Sequence, residues 1–293
     1  MTHARFARPR HVLLAGCLLA GCLLAGGAPA RAGQAPAAID ILVCYPGGSV
    51  RARDAQPALQ DMVKVIESIG GWPAGTINTS FTTRDAECRQ QLEEKKPPFA
   101  ILSLGIFLQA RRAHHLVPLV QPRIGGKSED RFYLVVRRNT FGKLADLAGK
   151  TLGGPWLGDL EFLKRVVFQR QIDPASHFQL KPSRRVLRAL RQLDRGRLDA
   201  VLVNRPQFEG LAALPFGKNL QSIYTSASLP QMGIAADEKR SSARDRQKML
   251  RALRGMCTHQ DGKKLCELFG IDSFDLPDGK LFDSVIKAWE SKP

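Results

Sequence analysis

The stretch FYLVVRRNTFGKLADLAGKTLGGP, Phe132 to Pro155, limits what this chain can fold into more than any other. Phe132, Tyr133, Leu134, Val135 and Val136 form an apolar, β-branched run that reads as a buried strand, and the polar turn at Arg137, Arg138 and Asn139 stops it. One helical turn follows with Leu144 and Leu147 on one side, and Gly149 stands where the end of such a turn wants positive φ. Lys150 to Leu152 then re-enter the sheet, and this second strand ends on Gly153, Gly154 and Pro155. Glycine at the carboxyl end of a sheet strand lets backbone come close to a bound molecule, and ligands of open α/β sheets sit at that end, so Gly154 is a candidate ligand contact.

The same residues carry a family resemblance. YLVVRRNTFGKLADLAGKTLGG is similar to the strand, turn and strand that open the second lobe in the phosphonate-type family of periplasmic solute-binding proteins of ABC transporters. LRALRQLDRGRLDAVLVN, Leu187 to Asn204, resembles the helix and Gly-x-hydrophobic-Asp-Ala strand of that family. IYTSASLPQMGIAA, Ile223 to Ala236, resembles its return crossing, and LCELFGIDSFDLPDG, Leu265 to Gly279, its C-terminal signature. The resemblance runs from Ile39 to Trp289. It implies an α/β fold of the type 2 periplasmic-binding kind, with two lobes, each a mixed sheet flanked by helices, joined by a two-strand hinge. It also implies a small-molecule ligand enclosed between the lobes, a membrane permease as partner, no cofactor and a monomer.

Met1 to Ala32 reads as an export signal. Arg5, Arg8 and Arg10 give a positive start, Val12 to Gly27 is apolar but too short and wrongly flanked for a membrane span, and Ala30-Arg31-Ala32 fits a small-x-small cleavage site. Leu14-Ala15-Gly16-Cys17 and Leu19-Ala20-Gly21-Cys22 both look like lipoprotein boxes, of which Cys22 has the longer apolar segment before it. Soluble export to the periplasm and a lipid anchor are both open. Cleavage after Ala32 removes four arginines and no acid, taking the formal charge from +17 to +13. The basic residues are spread along the chain, so they describe a basic surface, and export argues against nucleic acid as a partner.

Ile39 to Cys44 reads as a first strand leading into Tyr45-Pro46-Gly47-Gly48-Ser49; with the family in view, Tyr45 becomes a pocket wall. Leu59, Met62, Val63, Ile66 and Ile69 mark one face of a helix over 55–69 that Gly70-Gly71 ends. Ile77 to Phe81, Arg84 to Glu94 and Phe99 to Leu104 supply strand, helix and strand. Ser103 and Gly105 follow as ligand-side candidates, although Ser103 also suits a plain N-cap. Leu116 to Gln121 is read as the first crossing strand, and the second lobe continues with a helix over 159–171, a strand over 178–180, a helix over 183–195 and a strand over 199–203. Tyr224 to Ser226 is read as the return crossing, and helices over 243–256, 262–269 and 280–289 pack back on the first lobe. The domains are therefore 33–120 with 226–293, and 121–225, and strand-end residues Tyr45, Ser103, Gly154, Trp156, Asn204 and Ser226 line the cleft. A tryptophan directly after Gly-Gly-Pro either packs on ligand or opposite lobe or fills its own core.

There is no Gly-x-Ser-x-Gly elbow, zinc-binding His-Glu-x-x-His, phosphate-binding P-loop or dinucleotide fingerprint, and adjacent His114 and His115 point apart on a helix without further ligands at metal spacing. A solute receptor is the reading adopted, with an orphan exported sensor or interaction protein, and less readily an enzyme on the same fold, as alternatives. Cys44, Cys88, Cys257 and Cys266 survive cleavage, and the short turn between Cys257 and Cys266 favours that pair as a disulfide, with buried thiols or a Cys257-His259-Cys266 metal site as alternatives.

One departure from the family bears on the ligand. Phosphonate-binding members carry a Ser-Thr-Ser-Gly type turn whose hydroxyls and N–H groups hold an oxyanion, whereas this chain has Pro155-Trp156-Leu157-Gly158-Asp159. Proline donates no N–H, and Asp159 or Glu161 puts negative charge where the anion belongs. The expected solute is thus not a simple phosphate or phosphonate but an aromatic or partly apolar small molecule, or there is no transported solute at all, unless an inward Arg205 restores anion binding.

Overall fold

The computed structural model describes residues 38–44 and 52–291. The export segment Met1–Ala32, with Cys17 and Cys22, and the pocket candidate Tyr45 lie outside them.

In chain order the elements begin with β1 (Ile39–Cys44), α1 (Ala52–Gly70), β2 (Ile77–Thr82), α2 (Asp85–Lys95), β3 (Phe99–Ile101), α3 (Leu104–Ala110) and β4 (Leu116–Arg123). A two-residue strand β5 (Glu129–Asp130) leads into β6 (Phe132–Arg137), β7 (Lys150–Gly154), a helical turn α4 (Leu160–Phe162), α5 (Pro174–His177), β8 (Phe178–Pro182), α6 (Val186–Asp194), β9 (Ala200–Asn204), α7 (Arg205–Glu209) and β10 (Leu220–Thr225). The chain returns through β11 (Leu229–Pro230) to β12 (Ile234–Asp237), α8 (Ala243–Met256), α9 (Gln260–Phe269), β13 (Ser273–Asp275) and α10 (Gly279–Glu290).

These strands make two mixed sheets, ordered β13-β4-β12-β3-β1-β2 and β10-β6-β9-β7-β8, and a two-stranded ribbon β11-β5. Strand alternation explains why both faces of each sheet are covered. In β1, Ile39, Ile41 and Val43 pack with Leu59, Met62 and Ile66 of α1 and Met249 and Leu253 of α8, while Leu42 and Cys44 face the opposite way towards Cys88 and Leu92 of α2. In the second sheet, Val135, Val201 and Val203 meet Ala189, Leu190 and Leu193 of α6, and Leu134, Val136 and Leu202 point to the other face. Each such buried aliphatic side chain contributes on the order of 2 kcal/mol.

The Phe132–Pro155 stretch folds as its sequence dictates. β6 and β7 span the expected residues, a 3₁₀ turn at Leu144–Leu147 separates them, and Gly149 has φ +72°. Differences appear where tertiary packing competes with local pattern. β3 stops at Ile101 rather than Leu104, because Ser103 accepts a hydrogen bond from Ile106 N (3.3 Å) and starts α3. The helix expected over 159–171 keeps one regular turn and then widens over Leu163–Val167, closing through Phe168 N to Leu163 O (2.7 Å). Leu163, Val166, Val167 and Phe168 are all buried, and a regular helix would turn part of that contiguous apolar run outward.

The crossings also differ from the expected ones. Leu116–Gln121 belongs to a strand of the first sheet, paired with β12 and β13, and Tyr224 to a strand paired with β6 in the second. The crossing itself is the ribbon, Leu229 opposite Asp130 and Pro230 opposite Glu129. Hydropathy could not show it, since two residues carry no period. Finally, α8 and α9 pack on the first lobe, but α10 touches both β11 and the wide turn at 163–167.

The four described cysteines pair as Cys257–Cys266 and Cys44–Cys88. In a chain-entropy account the longer 44-residue separation stabilises more than the 9-residue one, about 4 against about 2.5 kcal/mol. Urea unfolding of the double variants Cys44→Ala/Cys88→Ala and Cys257→Ala/Cys266→Ala is expected to show this order, the first pair losing more stability.

Candidate functional site

Between the two sheets lies a cavity of about 580 Å³. Its walls are the carboxyl ends of strands and the starts of the helices after them, on both sides of the ribbon: Ser103, Leu104 and Gly105 after β3, Trp156 and Asp159 after β7, and Asn204 after β9. The ribbon supplies the floor with Asp130, Leu229 and Pro230.

Four of the residues expected from sequence are brought together here. Ser103 and Gly105 enter from the first lobe, Trp156 and Asn204 from the second. Trp156 is half-buried, with its Nε1 donating to Gln207 Oε1 (3.2 Å) and its ring edge-on to Phe132 at 5.3 Å. Phe132 in turn meets Phe162 at 5.8 Å, so three aromatic rings form one apolar wall. Asn204 caps α7 and donates from Nδ2 to Asp130 Oδ2 (3.0 Å).

Three others do not line the cavity. Gly154 has φ +133°, and a side chain there would meet the Leu202 carbonyl oxygen at 2.6 Å, so this glycine serves the approach of β7 to β9. Ser226 is buried; its Oγ accepts from Phe132 N (2.9 Å) and donates to Ala227 O (2.8 Å), tying the return crossing to β6. Arg205 is buried behind the cavity, donating to the carbonyls of Ile124 (2.7 Å) and Glu129 (3.3 Å) and lying 3.5 Å from Glu209. Its guanidinium is committed to carbonyls of the crossing segment, where an irregular stretch offers few backbone donors.

What the strand-end logic passed over is a set of carboxylates. Asp85 at the start of α2, Asp130 in the ribbon and Asp159 before α4 all line the cavity. Asp159 Oδ1 accepts from Phe162 N (3.0 Å) and Oδ2 from Gln109 Nε2 (2.9 Å), so the acid occupies the helix start and reaches the opposite lobe. Glu161, the other acid at that helix start, pairs with Arg165 at 2.7 Å. Asp130 accepts from Arg131 N (2.8 Å), Arg205 N (2.9 Å) and Asn204. Asp85 Oδ1 is buried without a hydrogen-bond partner, as is the amide nitrogen Nε2 of Gln231, another cavity residue. Asp85 was findable by the same argument that found Ser103, since it opens the helix that follows β2; Asp130 sits in a polar run with no signal.

Burial pushes all three carboxyls above the ordinary aspartate range. Arg89 opposes it for Asp85; backbone donors and Asn204 oppose it for Asp130. For Asp159 the hydrogen bond from Phe162 opposes burial, while the charge of Asp85 adds to it. The arginines on the rim do not cancel this: Arg84 is exposed and paired with Glu87 at 2.7 Å, and Arg184 is exposed.

The lobes meet closely at two glycines. A Cβ on Gly105 would stand 2.2 Å from Asp159 Oδ2 and 2.9 Å from Phe162 Cβ, and one on Gly158 would stand 2.4 Å from Asp85 Oδ2.

The comparisons with known proteins agree with this architecture. The family described as ABC transporter, phosphonate, periplasmic substrate-binding protein matches residues 53–282. A Xanthomonas citri protein, XAC2383, solved bound to ATP, is similar in fold (TM-score 0.66, 13% identity, 87% of this chain and 98% of that one covered). So are a binding-protein component of an ABC phosphonate transporter from Pseudomonas aeruginosa (TM-score 0.63, 16% identity, 85% and 84% covered) and PhnD1 from Prochlorococcus marinus in complex with methylphosphonate (TM-score 0.63, 13% identity, 86% and 97% covered). No curated protein sequence matches.

Two outcomes follow from this geometry. An acid with a raised folded-state pKa contributes most stability below its unfolded value and loses it as pH rises through the folded value. Asp85→Asn should therefore raise the melting temperature at about pH 7 and leave it unchanged at about pH 3.5, read by thermal melts at both. Gly105→Ala should cost the closed arrangement roughly 1–3 kcal/mol by overpacking, visible as a shift of the small-angle scattering profile towards a more open form with each lobe still folded.

Proposed function

Since the chain belongs to the phosphonate-type family of periplasmic substrate-binding proteins of ABC transporters, we propose that it closes its lobes on a small molecule other than a simple phosphate or phosphonate and offers the closed form to a membrane permease. Members of this family are substrate-binding components, not enzymes. Among the described residues no helix is long and apolar enough to cross a membrane. Export directed by Met1–Ala32, with or without lipid attachment at Cys22, is part of the same reading.

The ligand reading rests on one observation: Asp159 already accepts the hydrogen bond from Phe162 N at the helix start of the second lobe. An oxyanion seated there would lose that donor and face a carboxylate instead, with Asp85 close by. The neighbours solved with methylphosphonate and ATP are related at 13% identity, a distance at which fold is kept while cavity residues are free to change. Arg205, the residue that could have reversed this, is spent on the crossing carbonyls.

Tryptophan fluorescence and melting temperature should be followed while the purified protein is titrated with inorganic phosphate, methylphosphonate and a broad panel of neutral, cationic and anionic metabolites. Trp156 on the cavity wall supplies the fluorescence signal. Binding of a solute from the panel with phosphate and methylphosphonate silent is expected. Micromolar methylphosphonate binding would overturn the ligand reading, and silence of the whole panel would overturn the receptor reading.

A further inference from the structure

The chain carries 44 basic and 27 acidic residues, yet its interlobe cavity is lined by three aspartates and bordered only by arginines at its exposed rim. That inversion of sign is local. Basic charge spread over the surface is screened over about 8–10 Å at physiological salt, whereas carboxylates in a partly enclosed cavity act on whatever enters at short range.

The cavity also holds two unmet polar atoms of opposite kind. Asp85 Oδ1 has no donor and Gln231 Nε2 no acceptor. Buried polar atoms without partners cost stability, and a ligand that drew the Asp85 carboxylate and the Gln231 amide to turn towards the cavity would satisfy both. The remaining wall is Trp156, Phe132 and Phe162 with Leu104, Leu229 and Met232, which suits an apolar body and, at its ring faces, positive charge.

Resting on the solute-receptor reading, we propose that the ligand is a protonated organic amine: its ammonium group donates to Asp85 and is neutralised by Asp85 and Asp159, a hydrogen-bond acceptor elsewhere on it meets Gln231, and its apolar portion lies on Trp156 and Phe162. The charged groups facing the ammonium position are Asp85 and Arg89 of α2, Arg84 before it, Asp159 and Glu161 of the opposite lobe, and Arg184 at the rim. With Arg84 held by Glu87 and Glu161 answered by Arg165, Asp85 and Asp159 face Arg89 and Arg184; the two arginines are exposed to solvent and Arg89 does not line the cavity, whereas both aspartates line it and are partly buried, so the acids dominate at close range. Asp130 already accepts three hydrogen bonds and sets the field of the floor without needing a contact.

Binding of a cation favours the ionised carboxylates, so affinity must weaken as pH falls through the raised titration range of Asp85 and Asp159. A ligand that binds without using its charge has no such dependence.

The test titrates the purified protein with ethanolamine, tyramine, putrescine and leucinamide, each beside its N-acetylated form, with methylphosphonate as the anionic arm, by calorimetry at two pH values. At least one amine should bind, its N-acetyl form should bind roughly tenfold more weakly or not at all, and Asp85→Asn should reduce its affinity roughly tenfold or more while keeping a melting temperature at or above that of the parent. Asp159→Asn provides an independent variant on the other lobe and should act in the same direction. Equal binding of amine and N-acetyl forms, unchanged affinity in both variants, silence of all four amines, or binding of a neutral or anionic solute from the wider panel would overturn the amine assignment while leaving the receptor reading intact. Silence of every solute in that panel would remove both.

Discussion

The arrangement depends first on the buried guanidinium of Arg205. It opens α7, just after β9 in the second lobe, and donates to carbonyls of Ile124 and Glu129, in the segment that leaves the first. Its own backbone N–H donates to Asp130, which also accepts from Asn204. A crossing made of two paired residues per strand has few backbone hydrogen bonds of its own, so side chains must satisfy its polar groups. Ser226 does the same for the return path by bonding Phe132 N. Because these groups are buried, each lost partner leaves an uncompensated polar atom, and the crossing is held to one path. The cavity floor inherits its position from that path.

A basic residue committed to structure leaves the cavity to its acids. Asp159 takes the helix start, Asp130 is locked in the floor, and Asp85 approaches from the other lobe against Gly158. Two carboxylates drawn together when the lobes meet repel each other, and burial disfavours their charged forms further. The empty closed form is thus electrostatically uncomfortable at neutral pH, and a bound cation would remove that cost. If the ligand is the amine proposed above, closure and recognition become the same event in energetic terms: what relieves the acids would also hold the lobes together.

Much of this was legible in the sequence. The β6–turn–β7 unit, the amphipathic α1 and the three C-terminal helices follow from period and punctuation, because each buries one apolar face: α1 and α8 against the first sheet, α9 against α1 and α8, and α10 against β11 and the wide turn at 163–167. Strand-end reasoning found Ser103, Gly105, Trp156 and Asn204, which line the cavity. Gly154, Arg205 and Ser226 stand outside the cavity lining for a shared reason: a strand end faces both the cavity and the neighbouring strands or crossing, and one residue of adjacent pairs such as Asn204-Arg205 must turn away. Asp130 was illegible because a two-residue strand has no period, and the widened turn at 163–167 because it answers to burial on several sides at once.

The C-terminal helix adds a constraint that neither crossing supplies. Phe282 packs edge-on to Phe107 of the first lobe at 6.0 Å, and Glu290 pairs with Arg111 and with Arg112 (2.6 Å) beside it. From the second lobe, Arg165 stacks over Trp289 at 5.2 Å and donates to its carbonyl, while Arg170 donates to the carbonyl of Ala288 at 2.7 Å. Carbonyls at a helix C-terminus have no partners within the helix, so these arginines both cap α10 and answer its dipole. Opening the cleft by rotation about the ribbon has to break or slide one of the two sets. The second-lobe set adds to its hydrogen bonds and cation–π contact the packing of α10 on the wide turn at 163–167, whose Leu163, Val166 and Val167 share one buried cluster with Phe282 and Val285, and the first-lobe set includes Phe282 on Phe107 and an ion pair with the partly buried Arg111. Polar surface contacts are worth about 1 kcal/mol each or less, against roughly 3 kcal/mol for a buried aromatic ring, and α10 has buried apolar packing on both sides, so opening the cleft has to slide it across one apolar contact and not merely break its polar ones.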